Sequence, residues 1–132
     1  MAPRNWISPN TRRGACAALL LAAATLVHAH AHLKEAMPAD GSTLMMPPSR
    51  IALHFSEAAR LTAAWIQKGG EARRKLAPLP ARSAAEIDVP LPPLTPGHYV
   101  VSWRVLSDDG HIVPGQLRFT LLPSAPGGTP HP

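Results

Sequence analysis

Sixteen prolines in 132 residues leave this chain little room for long helices. Each proline removes a backbone donor and clashes with the preceding helical turn. From residue 30 onward the sequence reads as short strands between Pro/Gly punctuation. We expect strands over residues 32–36, 51–55, 61–67, 71–76, 86–91, 98–106 and 116–122. Residues 37–42, Met-Pro-Ala-Asp-Gly-Ser, read as a turn. Ile51, Leu53 and Phe55 alternate onto one face, as do Tyr99, Val101, Trp103 and Val105. These residues and Trp65 are the expected core. Leu94-Thr95-Pro96-Gly97 suits a tight turn, and Tyr99 just after it sits at a tyrosine-corner position. About seven short antiparallel strands predict an all-β fold, a Greek-key sandwich or barrel.

The first 29 residues set the remaining counts. Arg4, Arg12 and Arg13 precede an apolar stretch, Ala15 to Val27, too short to span a bilayer comfortably. Val27-His28-Ala29 has the small-x-small pattern of a signal-peptidase site. We therefore expect residues 1–29 to be a secretory signal, with a cut before His30 or, alternatively, before His32. Three of the thirteen basic residues precede His30, whereas all eight acidic residues follow it, so residues 30–132 carry +2. Arg73-Arg74-Lys75 is too short a basic run to indicate nucleic acid. The single cysteine, Cys16, falls in the signal and precedes its apolar run, unlike a lipoprotein acceptor. The mature chain then has no thiol ligand or nucleophile and no disulfide, which suits an oxidising compartment. We expect residues 30–122 to form one domain and residues 123–132 a disordered Pro/Gly tail.

A chain starting at His30 offers two nitrogen donors there, the imidazole and the free α-amine. Asp109-Gly110-His111 adds a carboxylate and a second imidazole. Three nitrogens and one oxygen suit copper(II), which favours tetragonal nitrogen/oxygen coordination. Asp109 and His111, two apart, project to one side if the backbone there is extended. Either piece alone is weak, since Asp-x-His in a loop is more often a solvated turn. His32 is a candidate neighbour of the ligands or the imidazole of a competing terminal chelate. Glu57 is a candidate weak ligand or hydrogen-bond partner, though a surface carboxylate is the plainer reading. Asp108 reads as a surface turn residue and His54 as a rim residue. His98 and His131 have no supporting context. Met45 and Met46 read as turn-flank packing, and Met37 lies by the first expected strand, so the three do not read as the converging thioethers that copper(I) requires.

Four stretches carry a resemblance. They are His30-Ala31-His32-Leu33 with Pro38-Ala39-Asp40-Gly41, Leu53-His54-Phe55-Ser56-Glu57, Leu94-Thr95-Pro96-Gly97-His98-Tyr99 into Trp103-Arg104-Val105, and Ser107-Asp108-Asp109-Gly110-His111 into Gly115. In this order the chain resembles the CopC family of periplasmic copper-resistance proteins. The resemblance implies a cupredoxin-like or immunoglobulin-like β-sandwich that binds copper. It also implies periplasmic residence and work beside a CopD-type inner-membrane protein. Residues 61–90 lack the methionine-rich loop some members carry, so a copper(II)-only member is expected. We expect a monomer, with no nucleic acid and no membrane insertion of the mature chain. A non-catalytic role is favoured. One rival is a copper monooxygenase-like enzyme built on a histidine chelate; Asp109 would fill a position that oxygen chemistry needs open. The other is a metal-free sandwich interaction module.

Overall fold

The computed structural model describes residues 30–124 and the isolated Pro3. The expected signal, His131 and nearly all of the expected tail lie outside them. Seven strands follow in order: β1 (Leu33–Met37), β2 (Ser42–Leu44), β3 (Arg50–Lys68), β4 (Arg74–Lys75), β5 (Ala84–Pro90), β6 (Gly97–Ser107) and β7 (Ile112–Leu121). No described residue is helical.

The expected strands 51–55 and 61–67 are one strand, β3, nineteen residues long. Between them lies Ser-Glu-Ala-Ala-Arg, with no Gly or Pro to turn the chain. The strand bulges instead, with register shifts between His54 and Ala59 and between Leu61 and Ala63. A bulge bends a strand and sharpens its twist. The first half of β3 pairs with β1 and β5, and the second half with β4 and β6. The sheet thereby curls over itself into a sandwich around a single core. Ile51, Leu53, Phe55, Ile87 and Val89 face Leu61, Ala64, Ile66, Val101, Trp103, Val105, Leu117, Phe119 and Leu121 within it.

Two further differences have local causes. The stretch read as a turn runs straight into β2, which starts at its last residue, Ser42, and pairs parallel to β7 at the far edge, so the sheet is mixed rather than antiparallel throughout. Its three residues, Ser-Thr-Leu, are too few to show a period. Strand β7 begins at Ile112, four residues before the expected start. Pro114 and Gly115 masked it; Pro114 is exposed and opposite Arg104. Gly115 lets the backbone approach the buried Trp103, where an added Cβ would lie 2.5 Å from the ring.

Tyr99 closes the corner below β6. Its hydroxyl donates to the Thr95 carbonyl at 2.6 Å and accepts from the Thr95 N–H at 3.2 Å. Its ring stacks on Phe119 at 5.2 Å. Trp65 departs from the expected core. It lies half-buried on the outer face, opposite Ser102, with the Arg73 guanidinium over its ring.

Candidate metal centre

The loop joining β6 to β7 has four residues, Asp108, Asp109, Gly110 and His111. Ser107 N–H donates to the His111 carbonyl at 2.9 Å, and Gly110 N–H to the Ser107 carbonyl at 3.0 Å. Gly110 has φ +86°, a left-handed conformation open to glycine at little cost and typical of such a hairpin. Asp109 and His111 therefore converge by folding around Gly110, not by extended-strand alternation. His111 N–H donates to Asp109 Oδ1 at 3.1 Å and fixes the carboxylate. This backbone bond is the main reason the Asp109 carboxyl is held below its ordinary range. Partial burial opposes the shift, and the neighbouring imidazoles reinforce it.

The segment before β1 reaches this loop from across the sandwich. Ala31 is fully buried and belongs to the core. Its N–H donates to the Ser107 hydroxyl at 3.2 Å. On the other side Ser56 grips the same segment. Its Oγ accepts from His32 N–H at 2.9 Å and donates to the His30 carbonyl at 3.4 Å, while its own N–H donates to the His32 carbonyl at 2.7 Å. A buried alanine and two serines thus place His30 at the loop.

The outcome is a compact cluster. Asp109 Oδ2 lies 2.9 Å from His30 Nδ1 and 3.0 Å from His111 Nδ1. One ligand atom from each of the three residues lies within 4.8 Å of the others. The two imidazoles meet edge to face, centroids 4.9 Å apart at 88°. The Asp109 side chain is only 14% exposed. His30 Nδ1 and Asp109 Oδ2 are both buried, yet neither has a hydrogen bond of acceptable geometry. Such orphaned buried atoms are rare in folded proteins. Imidazole and carboxylate bonds to a transition metal run about 2.0–2.2 Å, which sets cis donors about 3 Å apart. The observed spacings match that, so the donor set fits a metal ion held by His30, Asp109 and His111.

The other sequence candidates do not join this group. His32 is exposed and engages through its backbone; neither its imidazole nor the half-buried Glu57 belongs to the three-residue cluster. His54 is half-buried on the outer face of β3 between Glu35 and Glu86. Asp108 is exposed in the turn, and His98 bonds Thr120 Oγ1 at 2.9 Å. Sequence reasoning missed the roles of Ser56 and Ser107. Both lie inside the quoted motifs, but a serine, in mid-strand like Ser56 or at a strand end like Ser107, carries no signal of its distant partner.

The family model described as CopC domain matches residues 33–122, so it spans all seven strands with Asp109 and His111. The chain is 34% identical over 100 residues to protein YobA of Escherichia coli strain K12, covering 72% of this chain and 81% of that one. It is 32% identical over 104 residues to copper resistance protein C of Pseudomonas syringae pv. tomato, covering 71% and 82%. The crystal structure of CopC from Methylosinus trichosporium OB3b superposes with a TM-score of 0.65 at 27% identity, covering 74% of this chain and 98% of that chain. Matched along its whole sandwich in both sequence and fold, the chain belongs to the CopC domain family.

Proposed function

We propose that this protein binds copper(II) in the periplasm and acts non-catalytically in copper sequestration, delivery or resistance. The observation that carries the reading is the convergence of His30 Nδ1 and His111 Nδ1 on one buried oxygen of Asp109. Copper is the cargo. His30 and His111 supply imidazole nitrogens, and Asp109 supplies a carboxylate that offsets charge. In a chain cleaved before His30, the α-amine adds a fourth donor. Occupation of the cluster by a carboxylate favours retention of the ion over oxygen chemistry. Met37, Met45 and Met46 are exposed, which supports preference for copper(II) over copper(I). The residues themselves supply a signal over residues 1–29, a monomeric mature chain is the accompanying expectation, and the family resemblance supplies a CopD-type inner-membrane partner.

The test compares a chain starting at His30 with one retaining extra residues before it, both titrated with copper(II) against a competing chelator. An amide replaces the amine in the extended form. We expect at least ~100-fold weaker binding there, as when one metal donor is lost, with the same melting curve for both metal-free proteins. Equal affinity would remove His30 as the terminal ligand. Ascorbate should release the metal from the processed form, since copper(I) needs converging thioethers and Met37, Met45 and Met46 are exposed.

A further inference from the structure

Charge is divided between the two faces of the sandwich. Glu35, Glu86 and Asp88 lie on the β1–β3–β5 side. The second half of β3 from Ala59, and all of β6 and β7, contain no acidic residue. The outer face of those strands carries Arg60, Arg104 and Arg118, all exposed, and the loop before β4 adds Arg73, together with an exposed Glu71 that forms no salt bridge with it.

Two of these arginines are organised. Trp65, Ser102 and Gln116 form one row across β3, β6 and β7. The Arg73 guanidinium lies 4.4 Å from the Trp65 ring centroid and that of Arg104 5.3 Å. Stacking on an aromatic ring orients a guanidinium while leaving its edge N–H donors free. Among the described residues the only Lys/Arg side chain paired with a carboxylate is Arg50, with Asp88 at 3.4 Å. Arg73 and Arg104 thus present oriented donors with no acidic partner. They border a cleft of about 360 Å³ with Trp65, Ser102 and Gln116, so a hydroxyl and an amide supplement the two guanidinia. The volume suits one or two acidic side chains.

We propose that this cleft docks an acidic segment of a partner protein, its carboxylates paired with Arg73 and Arg104 beside Trp65. Arginine and tryptophan are the residue types that most often anchor protein interfaces, and planar guanidinia match carboxylates bidentately. An anionic bilayer is the poorer fit. Membrane adhesion uses larger basic clusters with apolar side chains that insert, and here the aromatic ring is covered by guanidinium. The cleft lies on the outer face of the same β6–β7 hairpin whose tip carries Asp109 and His111. The surface does not depend on which ion that cluster holds.

The test uses a fluorescein-labelled hexaglutamate peptide, read by anisotropy at low ionic strength where exposed charges are not screened. Arg73→Ala/Arg104→Ala should bind it about tenfold more weakly than the unmodified protein, the scale of two exposed charge pairs. Lys34→Ala/Arg82→Ala, which removes the same charge elsewhere, should bind within about twofold of the unmodified protein. Melting curves confirm folding, since all four side chains are exposed. Equal losses in the two double variants would reduce the effect to net charge and overturn the proposal. So would failure of the unmodified protein to bind the peptide, or binding to phosphatidylglycerol vesicles without binding to the peptide.

Discussion

Strand β6 ends in two polar constellations of opposite character. At its start the Tyr99 hydroxyl and the Thr95 backbone satisfy each other. At its end Asp109 and two imidazoles crowd together, and two of their buried atoms are left without hydrogen bonds. The first arrangement is closed and serves the fold. The second is open, with donor atoms close enough together to hold a metal ion. Buried polar groups stabilise a protein when paired and cost free energy when not, so the open end stores a demand that a metal ion can meet.

Substitutions should separate the two ends, the largest effect coming from the open one. His111→Ala removes an entire donor and should weaken copper(II) binding by a few kcal/mol, about 100-fold or more. The metal-free melting curve should barely move, because the side chain is exposed. An unchanged copper(II) affinity in a competition titration would erase the contrast drawn here. Tyr99→Phe is the reciprocal case. It removes the two hydrogen bonds to the exposed Thr95 backbone and should cost about 1 kcal/mol of stability, several degrees in Tm, with copper(II) affinity intact. Ser107→Ala sits between the two, because its hydroxyl accepts from the buried Ala31 N–H. It should cost about 1 kcal/mol of stability and also weaken copper(II) binding several-fold by loosening His30. A stability loss without any change in affinity would make Ser107 merely structural.

The smallest expected effect concerns acid. The Asp109 carboxyl is held below its ordinary value of 3.8, chiefly by the His111 N–H. The unfolded chain therefore takes up this proton more readily than the folded one. The stability Asp109 contributes is fully present above that ordinary value and fades as pH falls through the lower folded one. Metal-free wild-type protein and Asp109→Asn should differ slightly in Tm near neutrality and converge in strong acid. A gap that widens on acidification would show the sign to be reversed.

Much of this was legible in the residues themselves. Period-two alternation over 98–106 and 51–55 marks β6 and the inner face of β3, because a strand half-buried on a core must alternate. Tyr99 was identifiable because a tyrosine corner is local, its partner only four residues away. Asp109 and His111 were candidates because their spacing and residue types are themselves the chemistry. What the tertiary structure decided involves contacts between residues far apart in the chain. The continuity of β3 through its bulges depended on what its two halves pair with. Three-residue β2 exists because β7 offers it an edge. Trp65 is as apolar as Trp103, yet it lies outside and Trp103 inside; only the direction in which each strand faces the core distinguishes them. Above all, His30 meets Asp109 across 79 positions of sequence. Ala31 in the core and the hydroxyls of Ser56 and Ser107 hold it there, and no local pattern encodes the partner of a hydrogen bond that only folding brings within reach.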